Sequence, residues 1–317
     1  MMKEIYEFLL WNNCIFGNCT FCHQRAHERK IDDKILTPEE QVESLAECKE
    51  FLDTQFVKGN HILLVGGEIF DTRVDIVKKG LIDLIKHIKT MMCNDEIDLF
   101  YVNTNLLYTD INLLDWFLTL YQTNNLLKRI KFTTSYDMVG RFTSKERELL
   151  FYHNLKYLTD KYKDLHIVVN TVLTNEACKR IQNDIFGADY VLEYLKEQNK
   201  DKWTIKDWIE YFKVDINTIP YIRLPYDKAP EMPTKSMVFD TLLHINELIP
   251  GYLKSYADNI ALTQIKNLYE YNKSEKSYKY CSSKLAECGH SENFRLSFAD
   301  SEDCFPCAIQ KLANHKL

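Results

Sequence analysis

Nowhere does this chain carry an apolar run approaching the roughly 20 residues that a spanning helix needs, so no membrane segment is expected. Long basic runs are missing too. With a formal charge of −6, strong nonspecific attraction to nucleic acid or to an anionic membrane is not indicated. The opening MMKEIYEFLLWNN has Glu4 and Glu7 inside its apolar stretch and no small-residue cleavage site after it. A secretory signal is therefore not expected, and the expected location is the cytoplasm. Proline is scarce until late: six of the seven lie beyond residue 219, and LPYDKAPEMPTKS (224–236) reads as an extended connection into a separate C-terminal region. The expected division is residues 1–226 and 227–317. Glycine numbers only nine in 317 residues, and Gly66-Gly67 is the single adjacent pair.

Cysteine is plentiful. In a reducing compartment ten cysteines are not expected to pair as disulfides, and clustered ones point to metal ligation or reactivity. Seven are clustered: Cys14, Cys19 and Cys22 in LLWNNCIFGNCTFCHQR, and Cys281, Cys288, Cys304 and Cys307 near the end of the chain. Cys48, Cys93 and Cys178 stand alone in helical patterns, where a small buried hydrophobe is the expected role.

Periodicity predicts how the clusters are held. IYEFLLW (5–11), HILLVGG (61–67), IDLFYVNTN (97–105), RIKFTTSYD (129–137), LHIVVNTVL (165–173) and TIPYIRL (218–224) read as strands. Between them lie helical patterns. Thr37, Pro38 and Glu40 mark the first start as a capping box, Val77, Leu81, Leu84, Ile85 and Ile88 form the stripe of the second, and a third is expected from Ile111 to about Leu120. Thr143 and Glu146 are expected to start another, and 176–198 reads as helical. Strand and helix thus alternate about six times, which predicts an α/β fold on a parallel sheet with its chemistry at the C-terminal strand ends. The cysteine trio follows the first strand.

Three thiolates fill three iron positions of a [4Fe-4S] cube and leave the fourth open. CTFCH (19–23) also matches the C-x-x-C-H pattern of covalent haem, which leaves Cys14 without a role. A zinc site from the trio and His23 is a further reading, although adjacent Cys22 and His23 do not easily face one ion. Three unrelated buried thiols are the bland alternative.

The trio resembles that of radical S-adenosylmethionine (SAM) enzymes, with an aromatic, Phe21, before the last cysteine and one residue more than the usual C-x3-C-x2-C spacing. Further segments follow in strand order. Gly66-Gly67-Glu68 is similar to the family's GGE segment, whose backbone approaches the SAM amino group. Thr104-Asn105 resembles a TNG-like segment with leucine in place of glycine, and TTSYDMVGR resembles the fourth-strand pattern of peptide-modifying members. The resemblance, over about residues 5–226, implies a partial (β/α)6 barrel holding a [4Fe-4S] cluster on Cys14, Cys19 and Cys22. It implies Ser135 or Asp137 at the SAM ribose, Arg141 at its carboxylate, and Asn105 and Asn170 as further contacts. Glu68 and Asp137 are expected outside the core. The implied activity is reductive cleavage of SAM to a 5′-deoxyadenosyl radical that takes hydrogen from a substrate, with a reductant such as flavodoxin or ferredoxin.

The late cysteines, spaced C-x6-C-x15-C-x2-C, read as a small metal-binding extension. A structural zinc site is preferred to an auxiliary [4Fe-4S] cluster, with His290 able to replace Cys281 or Cys288. Residues 281–307 carry only Lys284 and Arg295 against Glu287, Glu292, Asp300, Glu302 and Asp303, a balance that repels phosphate. The resemblance to peptide-modifying members, together with this extra region, implies a peptide or protein substrate, and the charge balance speaks against the alternative of a nucleotide or nucleic acid. A non-catalytic metal-binding or electron-transfer protein is the reading from another class.

Overall fold

The computed structural model of the protein describes residues 5–11, 14, 36–70, 72–138, 140–142, 144–187, 202–220, 231–257, 268–272, 277–281 and 312–313. Six parallel strands lie side by side in chain order: β1 (Ile5–Leu9), β2 (Asn60–Val65), β3 (Ile97–Asn103), β4 (Ile130–Ser135), β5 (His166–Leu173) and β6 (Asp215–Pro220). Helices alternate with them: α1 (Pro38–Thr54), α2 (Asp75–Cys93), α3 (Asn112–Thr123), α4 (Lys145–Lys161), α5 (Asn175–Gln182) and α6 (Ile205–Phe212), with α7 (Lys235–Leu248) after β6.

A parallel sheet that adds strands in one direction, through right-handed crossovers, places its helices on one face. Burial follows that rule. In β4, Ile130, Phe132 and Thr134 are buried while Lys131, Thr133 and Ser135 are half-buried. The second set lines the opposite face, as in the wall of a partial barrel. Helical stripes close the other face: Val77, Leu81, Leu84, Ile85 and Ile88 of α2 are all buried, and the Tyr121 hydroxyl donates to the Ile85 carbonyl at 3.1 Å. Each such side chain contributes about 1.5–3 kcal/mol by leaving water.

Local signals fix most boundaries. Thr37 caps α1, its hydroxyl accepting from Glu40 N at 3.3 Å while the Glu40 carboxylate accepts from Thr37 N at 2.7 Å, and Pro38 opens the helix. Three boundaries differ from expectation. Helix α4 is capped by Ser144, not Thr143, and its hydroxyl accepts from Arg147 N. Strand β6 begins three residues early, at Asp215, because α6 ends with Lys213 in the left-handed region and the chain turns straight into the sheet. Helix α5 stops at Gln182, with Asp184 also left-handed, so helix does not continue through 183–187.

The sheet extends past β1. Strand β7 (Leu268–Asn272) pairs parallel with β1, and β8 (Ser277–Cys281) pairs antiparallel with β7. The boundary expected at 226 falls outside the described residues. Beyond it, α7 packs on α5, where Gln182 Nε2 donates to the Met237 carbonyl at 2.9 Å and to Thr241 Oγ1 at 2.8 Å. At β6 the Tyr252 hydroxyl accepts from Thr218 N at 3.1 Å, occupying a backbone donor that would otherwise invite another strand. Among the described residues no helix is long and apolar enough to cross a membrane.

Candidate functional site

The exits of β1 and β2 are tied together beyond the sheet. Leu10 N donates to the Val65 carbonyl at 3.0 Å and Gly67 N to the Trp11 carbonyl at 2.8 Å, while the Trp11 indole donates to the Glu68 carbonyl at 3.3 Å. Gly66 permits this approach, since a Cβ there would stand 3.0 Å from both the Trp11 carbonyl oxygen and Ile69 Cγ2. The lone glycine pair is thus a close-packing device.

It delivers Glu68 into the interior. Glu68 is 3 % exposed, which corrects the expectation that it lies outside the core. The physical reason is a set of donors around its carboxylate: Asn105 N at 2.6 Å, Phe70 N at 3.2 Å, and the Thr104 hydroxyl 2.9 Å from each oxygen. A carboxylate so supplied tolerates burial. Its bonds shape the turn after β3, where Leu106, in the place of the expected glycine, has φ 58°. That left-handed conformation strains a leucine by about 1–2 kcal/mol. Full burial of Leu106 and a 2.9 Å bond from Asn154 Nδ2 to its carbonyl hold it there.

The same turn faces the first cysteine. Cys14 lies beyond the end of β1, half-buried, with Asn105 Nδ2 3.6 Å from its Sγ. Asn105 Oδ1 accepts from Leu107 N at 2.7 Å, which fixes the amide with its NH2 toward the sulfur.

Across the sheet, Asp137 follows β4 and is also 3 % exposed, a second correction to the expectation for that residue. Its surroundings differ. Oδ1 accepts from Val172 N at 2.6 Å, and Oδ2 lies 3.6 Å from Arg141 Nη1 but makes no hydrogen bond. Arg141 is itself 7 % exposed, and its Nε is likewise without a hydrogen bond. Burial pushes the Asp137 carboxyl up to about 6, against the opposing pull of Arg141 and the Val172 amide. The segment carrying this pair is anchored by Tyr136, fully buried among Phe142, Phe151, Tyr152, Phe186 and Trp208. Its hydroxyl donates at 2.6 Å to Glu148, which also accepts from Tyr152 at 3.1 Å.

Ser135, Asn170 and Asn217 stand opposite one another on β4, β5 and β6, all half-buried on the face away from the helices. Asn217 Nδ2 donates to Asn170 Oδ1 at 3.0 Å. Sequence reading missed Asn217 because it began β6 at residue 218. A signal was present: Asn-Thr recurs at 103–104, 170–171 and 217–218, and each time the asparagine is half-buried and the threonine buried, as a period of two requires. Trp11 was missed as well, although a tryptophan at a strand exit needs a partner for its indole N–H.

Cys14, Gly66, Gly67, Glu68, Asn105, Ser135, Asp137 and Arg141 therefore follow or close β1 to β4 at one end of the sheet, and Asn170 lies within β5, level with Ser135. Phe21, Cys19, Cys22, His23, Cys288, His290, Cys304 and Cys307 lie outside the described residues, and Cys281 ends β8. No group of three candidate metal ligands occurs among the described residues. Of the lone cysteines, Cys48 and Cys178 are buried, and burial raises both thiols; Cys93 is exposed, a correction, because it is the last residue of α2 and lies off the buried stripe. No protein-family model matches the chain, and no curated protein matches it in sequence.

Proposed function

We propose that the protein is a radical SAM enzyme whose cluster is held by Cys14, Cys19 and Cys22. One observation carries the reading: polar groups follow or close β1 to β4 at the C-terminal end of one parallel sheet, Asn170 of β5 stands level with the last residue of β4, and the first of these groups is a cysteine with an asparagine amide from beyond the third strand 3.6 Å away. The residues present fit the cofactors. Cys14 is half-buried in a polar setting, and the buried Asp137 Oδ2 and Arg141 Nε have hydrogen-bonding capacity to offer.

When bound, a [4Fe-4S] cluster and SAM together supply one-electron reductive cleavage of SAM and removal of a hydrogen atom from substrate. The chain's own part is placement and exclusion of water. Gly66 and Gly67 bring the backbone after β2 against Trp11 at the exit of β1. Ser135, Asn170 and Asn217 offer hydroxyl and amide groups to a polar ligand lying along the sheet end. Asp137 is the acceptor for a ribose hydroxyl, and Arg141, paired with it, carries the positive charge for a carboxylate. The region after residue 226 is read as a small extension in which Cys281, Cys288, Cys304 and Cys307 bind zinc, with an auxiliary cluster as the alternative. The resemblance of TTSYDMVGR to peptide-modifying members supports a peptide or protein substrate, and the acidic balance of 281–307 speaks against a nucleotide or nucleic acid. The working place is the cytoplasm, with a flavodoxin or ferredoxin as reductant.

Iron analysis of anaerobically purified protein tests the reading. About four irons per chain are expected, and all should be lost when Cys14, Cys19 and Cys22 are replaced by alanine. Retention of the iron by that variant contradicts the assignment.

A further inference from the structure

The turn after β3 holds one donor in an unusually determined position. The Asn105 backbone N–H is taken by Glu68 at 2.6 Å, its side-chain oxygen by Leu107 N at 2.7 Å, and the next residue is fixed in the left-handed region. What remains is the amide NH2, 3.6 Å from Cys14 Sγ. Three independent constraints thus aim a neutral donor at a single sulfur. We propose that Asn105 is a positioning residue for the cluster, donating to Cys14 and setting the cluster's reduction potential, and is not primarily a SAM contact.

The inference rests on the radical SAM reading. A donor beside a cluster thiolate stabilises the more electron-rich state, because reduction raises negative charge on the sulfur. The buried Glu68 then acts through Asn105: its role is to hold the turn that presents the donor. This gives a carboxylate whose oxygens are already taken by the protein's own donors a part in the chemistry.

Two variants separate the electrostatic role from a structural one. Asn105→Asp keeps the acceptor for Leu107 N and removes the donor; Asn105→Leu keeps the size without adding charge. Potentiometric titration of the reconstituted full-length enzyme, followed by electron paramagnetic resonance, should show a lower midpoint in both. A roughly tenfold loss in the reduction equilibrium is about 59 mV for one electron. Thermal unfolding of the same samples reports the structural effect, which should be smaller for Asn105→Asp. Midpoints equal to wild type in both variants overturn the inference while leaving the cofactor reading intact. A wild-type protein that takes up no cluster overturns both.

Discussion

Two carboxylates at the same end of the sheet are buried to the same extent and do opposite things. Glu68, after β2, is surrounded by donors at 2.6–3.2 Å from three other residues, and its bonds shape the neighbouring turn. Asp137, after β4, has one strong hydrogen bond, a 3.6 Å ion pair and an oxygen left without a hydrogen bond. Burial alone does not assign a role to a carboxylate. A saturated one holds its turn, and an under-satisfied one retains the capacity to accept a hydrogen bond or to change charge.

The largest expected effect distinguishes them by stability. Glu68→Ala leaves buried N–H groups without an acceptor and should lower unfolding free energy by about 3–5 kcal/mol, read by chemical denaturation. Asp137→Asn at pH 7 should not lower it, since it removes a buried charge that has only one hydrogen bond, yet should weaken SAM binding measured by calorimetry. Equal stability losses would erase the contrast.

Next comes pH. The folded Asp137 carboxyl titrates near 6, above its ordinary value of 3.8, so between those values the folded state holds more proton than the unfolded state. The group's contribution to stability is full below pH 3.8 and is lost as pH rises through 6. The advantage of Asp137→Asn over wild type should therefore grow from pH 4 to 7 by up to about 3 kcal/mol. A constant difference contradicts the state assigned to Asp137.

Smaller effects sharpen the Glu68 side. Gly66→Ala forces a methyl against the Trp11 carbonyl, and a loss of about 1–3 kcal/mol is expected in denaturant unfolding. On the Asp137 side, Ser144→Ala removes the α4 cap, and about 1 kcal/mol should be lost in the same measurement. A neutral Ser144→Ala would return the helix start to Thr143.

Strand positions were legible because each buried strand is a short apolar run followed by a periodic helix; five of the six predicted runs overlap the observed strands almost completely. The ends were less so. Thr143 and Ser144 are both good caps by residue type, so sequence alone does not choose between them. Gly66, Glu68, Asn105 and Asp137 could be placed at strand ends by order, since a parallel sheet brings such ends together. Their degree of burial could not be placed, because the Glu68 donors come from residues up to 37 positions away. Asn217 was hidden by a three-residue error in β6, enough to exclude it from the strand.

Release of 5′-deoxyadenosine tests the central claim most directly. Anaerobic protein loaded with iron and sulfide, given SAM and dithionite, is predicted to form it, and the variant with alanine at Cys14, Cys19 and Cys22 is predicted to form none. Wild-type protein that binds a cluster but yields no 5′-deoxyadenosine, with or without candidate peptides, would contradict the account and favour a non-catalytic metal protein.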